Sequence, residues 1–113
     1  MYHQSPQARI MAARILNSLF ERKALTMPEA CFAAGRGSSG NRAFKLAHNC
    51  YILIGGSREF ETALNHLIQT EQVVLRKADP RLFGKDALRG LPIVDKTLTY
   101  LTPSWQPVVV TLP

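Results

Sequence analysis

Two adjacent glycines and a serine, Gly55-Gly56-Ser57, divide this chain more firmly than any other feature. A glycine pair breaks a helix, because each glycine weakens a helical interior by about 1 kcal/mol, and serine is a preferred helix cap. Beyond the break, Phe60, Leu64, Leu67 and Ile68 recur at helical spacing, which predicts an amphipathic helix from about Arg58 to Glu71. Its opposite face reads Arg58, Thr62, Asn65, His66 and Gln69. Before the break, Ala43, Ala47, Cys50, Tyr51 and Ile54 share one face of a helix over about 42–54, although the four bulky residues "YILI" also fit a short strand.

The remaining punctuation is of the same kind. Ser5 caps a helix whose first position is Pro6, where a missing amide hydrogen costs nothing. Ala8, Met11, Ala12, Ile15, Leu16 and Leu19 give that helix its apolar stripe and carry it to about Lys23. Thr26 and Glu29 have capping-box spacing, so a short helix is expected to run from there to Ala34, with Gly35 as its stop. After Glu71, "VVLRK" and "KTLTYLT" read as two strands joined by a long basic loop, and "WQPVVVTL" as an edge strand or an arm reaching a partner.

At 113 residues the chain is one domain, 1–113. Fourteen Lys and Arg against eight Asp and Glu leave a formal charge of +6, which favours a polyanionic partner. Two cysteines, Cys31 and Cys50, make no disulfide framework and fit a reducing interior. Cys31, His48, Cys50 and His66 lack the paired spacing of a zinc site, so no metal or cofactor is expected. No run approaches a membrane span. The first twenty residues carry Arg9 and Arg14 and no acid, faintly like a presequence, but their core stripe makes a cytoplasmic protein the better expectation.

"GRGSSGNR" at 35–42 satisfies two phosphate-loop patterns on paper. A dinucleotide turn needs a buried strand before it, and "PEACFAA" is a helix instead. A nucleotide-binding loop needs Lys and a hydroxyl where Asn41 and Arg42 stand. The stretch therefore reads as a linker, a basic one. Enzyme chemistry finds no support either: His3, His48 and His66 have no nucleophile and orienter beside them, and Glu59 and Glu61 diverge on a helix. The protein is expected not to be an enzyme.

The stretch "LAHNCYILIGGSREFETALNHLIQTEQVVLRKAD", with "YLTP" at Tyr100 to Pro103, resembles the central segment of winged helix-turn-helix DNA-binding domains. That resemblance covers about 42–103. It implies a mostly α fold with a small β-hairpin: N-terminal helices and linker over 1–40, a helix-turn-helix over 41–72, a wing over 73–103 and a tail over 104–113. It also implies sequence-specific binding of double-stranded DNA, as a transcriptional regulator or a plasmid or phage replication or partition factor, and the long first helix and the tail lead to the expectation of a homodimer. Ser57, Arg58, Thr62, Asn65, His66 and Gln69 would read bases, since such side chains pair with base edges in the major groove. Arg36, Arg42, Lys45, Arg76, Lys77, Arg81, Lys85 and Arg89, with Lys96 on the return, would neutralise phosphates. In a second register, with the helix at 42–54 as reader, Arg42, Lys45, His48 and Asn49 take the base-reading role. The competing expectation is a protein-binding module or small inhibitor, motivated by Trp105 and Val108 to Val110 as an exposed strand.

Overall fold

The computed structural model describes residues 5–88 and 90–113. In chain order they form α1 (Pro6–Arg22), β1 (Ala24–Thr26), α2 (Met27–Ala34), β2 (Ser39–Ala47), β3 (Cys50–Gly56) and α3 (Arg58–Gln69). There follow β4 (Val74–Lys77), a 3-10 segment (Pro80–Asp86), β5 (Ser104–Trp105) and β6 (Val108–Thr111).

Local chemistry sets the helix starts. Ser5 accepts the amide of Ala8 at the head of α1, and Ser57 accepts that of Phe60 at the head of α3. Thr26 and Glu29 close the capping box of α2 reciprocally. Gly35 stops that helix at φ 86°, a backbone setting that suits glycine.

The strands assemble into two three-stranded sheets, ordered β1-β6-β4 and β2-β3-β5. In the first, β6 lies antiparallel to both neighbours, and Val110 stands opposite Leu25 on one side and Leu75 on the other. The three α-helices close the core over this sheet: Met11, Ile15 and Leu19 of α1, Met27 and Ala30 of α2, and Phe60, Leu64 and Leu67 of α3 are all buried with Leu25 and Val110. The second sheet joins that core through Phe44, Ile52 and Leu53, with Phe44 stacked on Phe60 at 5.5 Å. Trp105 on β5 is buried and meets the ring of Phe83 edge-on, which holds the 3-10 segment against the second sheet.

The architecture is α+β, which overturns the expected mostly α fold with a winged helix-turn-helix layout. Two segments account for the difference. Residues 42–54 are a hairpin rather than a helix: Ala47 pairs with Cys50, and Asn49 turns the corner at φ 59°. Asn tolerates that left-handed setting, and Tyr51, Ile52 and Ile54 favour extended backbone, so the strand alternative for "YILI" is the one that forms. The 41–72 segment is therefore not a helix-turn-helix.

The wing over 73–103 does not form either. Residues 97–102 are in no strand, and β4 takes β6 as its partner. Leu98 and Leu101 stay exposed, whereas Val108 and Val110 are buried, so pairing β4 with the tail hides more apolar surface. The loop at 96–103 and Gln106 are instead tied to the hairpin corner. The Asn49 side-chain amide donates to the Tyr100 carbonyl at 3.0 Å, and the Cys50 thiol and the Thr97 hydroxyl both donate to the side-chain oxygen of buried Gln106. The tail is thus not a free arm: its β5 is the edge strand of the second sheet and its β6 the middle strand of the first.

Candidate nucleic-acid interface

The site begins with the division of faces on α3. Phe60, Ala63, Leu64 and Leu67 point into the core. At 100° per residue this leaves Arg58, Thr62, Asn65 and Gln69 as one outer stripe. Arg58 and Gln69 are exposed, while Thr62, Asn65 and the flanking His66 are half-buried. Among the described residues, no side-chain hydrogen bond engages Arg58, Thr62, Asn65 or Gln69. Ser57 is different: it is buried, and its hydroxyl is committed to the helix cap.

One side of the stripe is walled by β2. The Arg42 guanidinium reaches the Glu61 carboxylate at 3.4 Å, a pair open to solvent on both sides. Lys45 and Asn65 share the mouth of an open groove of about 260 Å³, floored by Phe44, Ile52 and Leu64. The head of α3 is walled by the glycine-rich segment, because the Ser57 amide donates to the Ser38 carbonyl at 2.8 Å. A Cβ on Gly40 would stand 2.8 Å from the Gly56 carbonyl oxygen, so only glycine allows β2 to come this close to the start of α3. The same segment is anchored on α1. Gln7 donates its side-chain amide to the Arg36 carbonyl at 3.3 Å, and Arg14 donates to the Ala34 carbonyl at 3.3 Å. Arg42 and Lys45 thereby flank the outer stripe of α3 that Arg58 begins, whereas Arg36 lies beside Phe32 at the C-terminal end of α2. The stretch 35–42 is a helix stop followed by the start of a strand, rather than a linker.

The cations beyond position 75 are arranged otherwise. Arg76, on β4, donates to the Thr111 hydroxyl at 3.0 Å. Lys77 pairs with Asp95 at 3.2 Å, and Arg81 holds Asp79 at 2.7 Å. Hydrogen bonds from these partners draw the carboxyls of Asp79 and Asp95 below their ordinary range. Lys85 lies on the 3-10 segment, and Lys96 lies in the loop that follows; both are exposed. Arg89 lies outside the described residues. These side chains stand on a sheet edge, a 3-10 segment and a loop, so they do not project together from a hairpin.

In the second register, Arg42 and Lys45 lie on β2, and His48 and Asn49 lie at the hairpin corner, so no helix presents them. The two cysteines are buried, and that burial pushes both thiols above their ordinary pKa, which disfavours the reactive thiolate. Among the described residues, no three His, Cys, Asp or Glu side chains are grouped to hold a metal ion, and no helix is long and apolar enough to cross a membrane.

No protein-family model matches the chain, and comparison with curated proteins and with solved structures finds no match.

The sequence contained the outer stripe of α3 in full. It did not reveal that β2 would lie beside it, because the close approach of Gly40 to Gly56 joins two segments that patterning treats separately.

Proposed function

We propose that this protein binds double-stranded DNA, with the outer stripe of α3 against base edges and Arg42, Lys45 and Arg58 on the flanking phosphates. The observation that carries the reading is the set Arg58, Thr62, Asn65 and Gln69, aligned on one helix face with no internal hydrogen-bond partner among the described residues. These are side-chain types that hydrogen-bond base edges in the major groove, and guanidinium and ammonium groups beside them would set position on the backbone. The net charge of +6 supports the same partner. A role as a regulator, or as a replication or partition factor, belongs to this reading.

The test is fluorescence anisotropy on duplex DNA across a salt series. Removing one cation that neutralises a phosphate should flatten the slope of log affinity against log salt by about 0.9. Arg58→Ala and Lys45→Ala are expected to flatten it, whereas Lys77→Ala and Arg81→Ala, whose cations are paired within the chain, should leave it nearly unchanged. Asn65→Ala should cost about 1–3 kcal/mol on a preferred site and little on random duplex. Equal effects from both pairs of arginine and lysine variants, or a wild-type affinity indifferent to salt, would refute the proposal.

A further inference from the structure

Phe32 projects from α2 with 88% of its surface exposed, on a helix whose Met27 and Cys31 are buried. It stands between two open hollows. One, of about 560 Å³, lies toward the C-terminal end of α2 and is floored by Cys31, Leu53 and Ile54, with Arg36 on its rim. The other, of about 400 Å³, lies toward the N-terminal end and is bounded by Arg22, Glu29 and Asp86. Pro28 lines both, and Ile54, itself half exposed at 51%, extends the apolar surface onto β3. An apolar knob thus adjoins a hollow with apolar walls on one face of the molecule.

The patch is also polarised. At the C-terminal end of α2 lie Arg36 and the Arg14 guanidinium on the Ala34 carbonyl. At the N-terminal end Glu29 is paired with Arg22, and the Asp86 carboxylate lies beside that pair. A surface carrying a knob beside a hollow, and positive charge at one end with negative at the other, is complementary to itself under a two-fold rotation. That is the requirement for an isologous dimer.

The geometry points to a homodimer in which two α2 helices pack antiparallel, each Phe32 entering the larger hollow of the other copy and each Arg36 facing the other copy's Asp86. Turning α2 about an axis just C-terminal of Phe32 brings the acidic end of one copy over the basic end of its partner, so both charge pairs form at once. The helix dipoles are then antiparallel, and this arrangement also favours association. Dimerisation of this kind needs no DNA, and mass is measured without nucleic acid, so its failure and the failure of DNA binding are told apart.

Sedimentation equilibrium of the full chain over a wide concentration range tests it. The wild type should show a monomer–dimer equilibrium, and Phe32→Asp should raise the dissociation constant by about tenfold or more, as loss of a central aromatic anchor does. Because Phe32 is exposed, its replacement leaves the core intact, and an unchanged far-ultraviolet circular dichroism spectrum checks this. Arg36→Asp and Asp86→Arg should each weaken the dimer by roughly threefold or more, and the double reversal should recover most of that loss. A monomer at every concentration, a dimer indifferent to Phe32→Asp, or charge reversals that fail to rescue one another would each overturn the inference.

Discussion

Replacing Val110 with alanine tests the feature on which the whole fold turns, the insertion of the chain's last strand between β1 and β4. Val110 has no exposed surface, whereas Val109, its neighbour on the same strand, points to the other face and is half-buried. Removing the two γ-methyl groups of Val110 forfeits about 1.6 kcal/mol of transfer energy at ~0.8 kcal/mol per group, and the cavity left behind raises the cost to about 2–3 kcal/mol. Val109→Ala carries the same loss of strand propensity without the buried volume, so about 1 kcal/mol or less is expected. The difference between the two variants therefore isolates burial from propensity. Urea titration at equilibrium reads it directly, and in a domain of this size the Val110 variant should melt roughly 10 °C below the wild type. If the tail were an arm on the surface, both substitutions would fall within about 0.5 kcal/mol of wild type. Equal costs for the two positions would refute the placement of β6 at the centre of its sheet.

Gly40→Ala puts a Cβ 2.8 Å from the Gly56 carbonyl oxygen and 2.9 Å from the Ser57 α-carbon. Both are backbone atoms that cannot swing aside, so a loss of about 1–3 kcal/mol is expected in thermal or urea denaturation; Ser39→Ala, on an exposed neighbour, should be nearly silent. Glu29→Gln keeps an oxygen that accepts the Thr26 amide but removes the charge facing Arg22 and the N-terminus of α2, and should cost about 0.3–1 kcal/mol at neutral pH. Burial alone would raise the Glu29 carboxyl, but hydrogen bonds from the Thr26 amide and from Arg22 outweigh it and hold the folded-state pKa below the ordinary glutamate value. A carboxyl depressed in this way stabilises the fold above its unfolded pKa and loses that contribution as the pH falls through the folded one. The gap between wild type and Glu29→Gln should therefore narrow on acidification below about pH 4.5, and a gap that widened there would contradict the hydrogen bonding described.

What could be read from the residues alone was the helix caps, the stop at Gly35 and the helix faces. The starts of α1, α2 and α3 at Ser5, Thr26 and Ser57, the stop at Gly35 and the division of α3 into a buried and an outer face all rest on spacings of four residues or fewer. Interactions of that range form wherever the local sequence permits, whatever the rest of the molecule does.

Partner choice among strands was settled only in three dimensions. Residues 42–54 carry an apolar spacing that suits a helix, yet they fold as a hairpin because extended backbone lets Phe44 reach Phe60 and lets Ile52 and Leu53 join the core. "KTLTYLT" alternates as a strand should, and still loses β4 to "VVVT", whose Val108 and Val110 bury fully against the helices. Several segments of this chain have the pattern of a strand, and pattern does not rank them. The ranking comes from the apolar area each pairing removes from water, a quantity that exists only once the helices have provided a surface to bury it against.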